Sequence, residues 1–152
     1  MHQEITAPTP FLCHFEIAGR PVPLKRHRTT RTGHRYDPSL ADKRVFLEQV
    51  RAMGALPAAP LGEPLAIDLE FVMPRAKSHF RTGRFSGQLK ASAPRYHTYT
   101  PDVDNLAKFV LDALNTFLYR DDACTVTLTC RKFYSTTTEG VTRVRVRSAT
   151  AL

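Results

Sequence analysis

The chain has no run of apolar residues approaching the roughly 18 that a membrane-spanning helix needs. It also lacks a basic amphipathic helix that could lie on a bilayer, so no membrane partner is expected. Its first ten residues, MHQEITAPTP, do not follow the charged-then-apolar order of a secretory leader. Cysteine is scarce. Cys13, Cys124 and Cys130 are odd in number and lack CxxC spacing, which argues against a disulfide framework or a zinc site. Free buried thiols in a reducing, cytoplasmic setting suit them better. No internal repeat and no Ser/His/Asp-type constellation stands out. Acid is short as well: 14 Asp and Glu stand against 22 Lys and Arg, a formal charge of +8 over 152 residues. That length suits one domain with a real core, and that charge suits a polyanionic partner.

The few carboxylates concentrate in one stretch, Pro101 to Asp122, reading PDVDNLAKFVLDALNTFLYRDD. Leu106, Phe109, Val110, Ala113, Leu114 and Phe117 recur at the three- and four-residue spacing of one helix face. Pro101 fits just before or at the first turn, where aspartates satisfy free amide groups and the positive end of the helix dipole. Lys108 lies four residues after Asp104 and so shares its side of the helix. If the chain after Phe117 turns back along the helix, Asp121 or Asp122 returns to Asp102 and Asp104. Three clustered carboxylates repel one another, and a divalent cation relieves the repulsion. An all-oxygen set selects Mg²⁺ or Mn²⁺ over zinc. The plainer reading is a helix cap followed by an Asp-Asp turn.

PDVDNLAK, followed by LDAL and then by DD, resembles the signature of the RusA family of Holliday junction resolvases, which are structure-selective endodeoxyribonucleases. The likeness is specific through these 22 residues and follows only the general plan elsewhere. It implies metal-binding aspartates at Asp102, Asp104 and Asp122 and an essential lysine at Lys108. It also implies Mg²⁺, with Mn²⁺ able to substitute, and a homodimer with one site per subunit acting on branched DNA, the four-way junction. Asp121 is expected to support the metal from behind, and Asn105 to orient a carboxylate or cap the helix.

Beside such a site the two acid-free stretches gain a meaning. Residues 20–36 form a dense basic loop in which Lys25, Arg26, Arg28, Arg31 and Arg35 are expected to meet phosphates. Its His27 and His34 have no paired spacing and are not read as metal ligands. Residues 74–100 form a second basic excursion, with Arg75, Lys77 and Arg81 expected on the backbone and interleaved aromatics suited to splayed bases. The plainer reading of each is a solvated surface segment; beside such a site phosphate contact is the better reading for the first, while for the second the two stand about even. Tyr96 to Thr100 could form a short strand leading into the site.

Around these lie four strand patterns. Phe11, Cys13, Phe15 and Ile17 alternate with polar residues; so do Leu65 to Met73, with Asp68 and Glu70 on the opposite face. Cys124, Val126, Leu128 and Cys130 alternate with threonines, and Thr142, Val144 and Val146 with Arg143, Arg145 and Arg147. That arginine stripe reads first as a solvated sheet face. A helix from the Tyr36-Asp37-Pro38-Ser39 turn to about Met53 carries Val45, Phe46, Gln49, Val50 and Met53 on one side. The expected fold is a small single α/β or α+β domain over residues 1–152, a mixed sheet of about four main strands with two helices packed on it. The expected activity is Mg²⁺-dependent phosphodiester hydrolysis on four-way junctions. A non-catalytic junction- or single-strand-binding protein, or a metal nuclease acting on flaps, are the alternatives.

Overall fold

A computed structural model describes residues 10–149. In chain order it holds β1 (Cys13–Ala18), β2 (Arg28–Thr29), β3 (Arg35–Tyr36), α1 (Leu40–Ala52), β4 (Leu65–Met73), α2 (Val103–Leu114), β5 (Thr125–Tyr134) and β6 (Val141–Ser148). The main sheet runs β1-β6-β4-β5, with β6 antiparallel to both neighbours and β4 parallel to β5. This is the mixed four-stranded sheet with two helices that the sequence suggests. β2 and β3 pair as a small hairpin inside the first basic loop, a feature the sequence did not reveal.

Alternation explains which face is buried. Cys13, Phe15 and Ile17 of β1, Val144 and Val146 of β6, and Leu65, Ile67, Leu69, Phe71 and Met73 of β4 enter one core. Both helices pack on that face. Phe46 of α1 meets Phe15 and Phe109 of α2 edge-on, with ring centroids 6.3 and 5.7 Å apart. Each such ring, fully buried, contributes about 1.5–3 kcal/mol.

Several expectations at the margins need correction. Phe11 is exposed and precedes β1. On α1 the buried residues are Phe46, Leu47 and Val50, while Val45 and Met53 face solvent, because the helix meets the sheet along a stripe one position further round. Phe117 lies beyond the end of α2 and is exposed; Leu118 fills the core instead. Residues 96–100 are bends and irregular chain, not a strand. The lead-in at residues 1–9 lies outside the described residues.

β5 departs most from its alternation. Val126 is 62% exposed and Leu128 43%. The strand is at the sheet edge, bonded only to β4, and its register shifts between Leu65 and Ala66. Neither helix reaches far enough to cover it fully.

The opposite sheet face is charged and internally matched. Arg143 contacts Glu16 (2.7 Å) and Glu70 (3.2 Å), Arg145 contacts Glu70 (3.1 Å), and Arg147 approaches Asp68 (3.9 Å). The arginine stripe therefore serves the sheet. Asp68 and Glu70 are its counter-ions. Burial works against ionising Glu70, but the hydrogen bond from Arg143 and the charge of Arg145 hold its carboxyl below the usual range.

Candidate active site and nucleic-acid interface

The β4–α2–β5 unit fixes where every acidic residue of the motif falls. Parallel strands joined through a helix require that helix to run back against them. The N-terminus of α2 therefore lies at the far end of β4 and β5, and its C-terminus lies where they begin. The sequence of α2 suits the task, with Leu106, Ala107, Phe109, Val110, Ala113 and Leu114 all buried.

Asp102 occupies the N-cap position of α2 after a cis Thr100–Pro101 bond. Its carboxylate accepts no capping hydrogen bond, so the expected capping role is not realised. Asp102 and Asp104 are both exposed, and Lys108 Nζ stands 3.3 Å from Asp104 Oδ2 across one turn. Asn105 lies in the same turn, where its carbonyl accepts the Leu24 N–H at 3.0 Å. That bond draws the first basic loop against the head of α2. Among the described residues, the Asn105 side chain neither caps the helix nor bonds a carboxylate.

Asp121 and Asp122 lie at the other end. α2 closes at Asn115, and Thr116 follows with φ of 69°, a left-handed conformation that a β-branched residue rarely adopts. The side chain of Asn115 then accepts the Asp122 N–H at 3.1 Å. Asp121 caps the next turn by accepting the Ala123 N–H at 2.9 Å, which lowers its pKa. The neighbouring Asp121 carboxylate raises that of Asp122, as do partial burial and the charges of Asp121 and Asp112. Tyr119, which donates to the Leu111 carbonyl, is pushed up by burial and by the same Asp122 and Asp112 charges.

The expected return of the chain along the helix does not occur. Twelve residues of α helix rise about 18 Å, so within one chain the two acidic pairs stand apart by about that distance. Among the described residues, no three His, Cys, Asp or Glu side chains come close enough to hold a metal ion. The donor chemistry suits Mg²⁺ or Mn²⁺, but one chain alone does not gather it.

The head of α2 has other company. Lys132 of β5 donates to the carbonyls of Tyr99 (2.7 Å) and Pro101 (2.8 Å), pinning the entry to the helix. Sequence reasoning missed this lysine, although the signal was there: Lys132 breaks the apolar parity of Leu128, Cys130 and Tyr134. Arg75, expected on DNA, is 7% exposed. It donates to the carbonyls of Ser135 and Pro94, both at 2.7 Å, and lies over the Tyr134 ring at 4.9 Å. It is a structural clamp between the ends of β4 and β5. His79 and His97 also meet Tyr134, each with centroids 5.0 Å away. Burial, then the charges of Lys132 and Arg20, lower the pKa of His97.

The remaining cations of the two loops are accessible. Arg26, Arg28, Arg31, Arg35 and Lys77 are exposed and have no acidic partner among the described residues. Lys25 pairs with Asp42 at 3.0 Å on the surface. Arg81 bonds Gln88 and covers the Phe85 ring at 3.9 Å. No described helix is long and apolar enough to cross a membrane.

Comparison of the sequence with known proteins matches it to a family. The model of the family described as endodeoxyribonuclease RusA matches residues 18–147, most of the chain. An uncharacterized protein of Bacillus subtilis (strain 168), YqaN, is 34% identical over 127 residues, covering 80% of this chain and 87% of that protein. With the motif falling inside a family match that spans most of the chain, the chain belongs to the RusA endodeoxyribonuclease family.

Proposed function

We propose that the protein is a structure-selective endodeoxyribonuclease that resolves four-way DNA junctions, with the whole chain acting as one domain. The observation that carries this is the head of α2. Two exposed carboxylates and a lysine stand there, with one basic loop bonded to the helix and the other leading into it. Such a surface offers phosphate affinity without sequence choice, since phosphate contacts position and base contacts specify.

The separation of the acidic pairs supports a dimer as the active form. Asp102 and Asp104 of one copy, with Asp122 of a second, would hold Mg²⁺, or Mn²⁺ in its place. Bound there, the ion would supply charge neutralisation at the scissile phosphate and an acidified water. Lys108 would offset charge gathering on the phosphate or leaving oxygen. Asp121 holds the turn that presents Asp122, through its bond to Ala123. A two-fold dimer would place two such sites on a junction of approximate two-fold symmetry, one for each of the two cuts. The free edge of β5 supports this, because exposed Val126 and Leu128 lie a few residues from Asp122. The test is cleavage of four-way, flap and linear duplex DNA in parallel, with Mg²⁺ and with chelator. Metal-dependent cutting confined to the four-way junction is expected; preferential flap cleavage would reassign the substrate.

A further inference from the structure

On the open sheet face near the end of β5 lies a cleft of about 520 Å³, lined by Glu70, Arg95, Tyr96, Arg131, Lys132 and Phe133. Its charges do not cancel. Glu70, the one carboxylate, is held by Arg143 and Arg145. Lys132 is bound to two carbonyls. Arg95 and Arg131 are exposed and have no acidic partner among the described residues. The cleft thus presents two free guanidinium groups.

It also presents a ring that the core does not need. Tyr96 is 59% exposed, with the Arg95 guanidinium 5.3 Å from its ring centroid. The backbone that carries it is fixed, because the Arg95 carbonyl accepts the Tyr134 N–H at 3.0 Å. Phe133, half-buried on β5, forms part of the opposite wall. An exposed ring on anchored backbone loses little freedom on stacking, and aromatic faces stack on any base. The guanidinium groups suit the phosphates on either side.

We infer that this cleft binds an unpaired nucleotide of a DNA strand, stacked on Tyr96 with its flanking phosphates on Arg95 and Arg131. The inference rests on the DNA-processing reading above and deepens it. The same loop reaches Asp102 six residues later, and Lys132 joins cleft wall to helix head. A strand unpaired at a branch point would therefore run from the cleft toward the carboxylates.

Fluorescence anisotropy with a labelled, unpaired oligothymidylate and with a four-way junction tests this on the full-length protein. Tyr96→Ala should weaken oligothymidylate binding about tenfold, while Tyr96→Phe stays within about twofold of wild type. Arg131→Ala should make the log–log salt slope shallower by about one. Equal oligothymidylate binding by wild type and Tyr96→Ala would overturn the inference. So would polyglutamate binding of equal strength with the same dependence on Tyr96, which would make the cleft an acidic-peptide site. Junction cleavage is scored separately: a wild type that binds oligothymidylate through Tyr96 but cuts no branched DNA would sink the nuclease reading and leave the cleft standing.

Discussion

Asp102 sits where a helix's first amides ordinarily bond a capping side chain, yet its carboxylate leaves them alone. Because no capping bond is lost, Asp102→Asn should leave stability nearly unchanged while removing the charge of a candidate ligand. Asp104→Asn loses only a surface ion pair with Lys108, worth about 0–1 kcal/mol. We expect each of these, and Asp122→Asn, to abolish junction cleavage and retain junction binding, measured by gel shift and single-turnover cleavage. Asp121→Asn should cost about 10- to 100-fold, as positioning groups behind a metal ligand do. Lys108→Ala should lose rate more than affinity; a loss wholly in affinity would make it an ordinary phosphate contact. A second prediction concerns His97. Its folded pKa is depressed, so the native state keeps the ring neutral while the unfolded chain takes up a proton. Stability present above about pH 6.5 is therefore lost as pH falls below it. Urea unfolding of His97→Gln should show a smaller drop between about pH 7.5 and 5.5 than wild type does. Glu70, also depressed, acts in a separate window below about pH 4.5.

At the scale of elements, the two basic segments differ in kind. The β2–β3 hairpin carries Arg28, Arg31 and Arg35 on an exposed ribbon, with Lys25 and Arg26 just before it, whereas Arg75 is built into the protein. Changing Lys25, Arg26 and Arg28 together to Ala should make the salt slope of junction binding shallower by up to about three, with stability unaffected. Arg75→Ala should do the reverse, costing about 2–4 kcal/mol in chemical denaturation, because two carbonyls lose their donor. A similar contrast separates what was legible in the sequence from what was not. Strands β1, β4 and β6 and the buried stripe of α2 were readable because period-two and period-3.6 patterns report burial directly. The exposure of Val126 and Leu128 was not, because alternation shows which face a residue is on and never whether a helix covers that face. Arg75 looked like any arginine in a basic run, since nothing local marks the two carbonyls that meet it from residues 94 and 135. The candidate ligands Asp102, Asp104 and Asp122 were legible as residue types, but whether one chain brings them together depended on the turn at Asn115 and Thr116.

At the scale of the whole molecule, the parting of the acidic pairs along α2 is what the proposed pairing of two copies would overcome. The edge strand, with Val126 and Leu128 exposed, is the surface proposed for that pairing. Placing charges at Val126 and Leu128, as in V126D and L128K, should leave the monomer folded but convert a dimer to monomer by light scattering and lower cleavage in parallel. Most buried residues are untouched by these changes, so a lost fold would not be the expected result. The most direct measurement of the central claim is complementation. One inactive chain carries Asp102→Asn and Asp104→Asn, the other Asp122→Asn, and the two are co-expressed and purified as a mixed dimer. A site shared between copies leaves one of the two intact in that dimer, with Asp102 and Asp104 from one chain and Asp122 from the other. We predict that the mixture nicks one strand of a four-way junction with Mg²⁺, while each variant alone is inert. A mixed dimer as inert as its parents would contradict the shared site and return the three aspartates to a single chain.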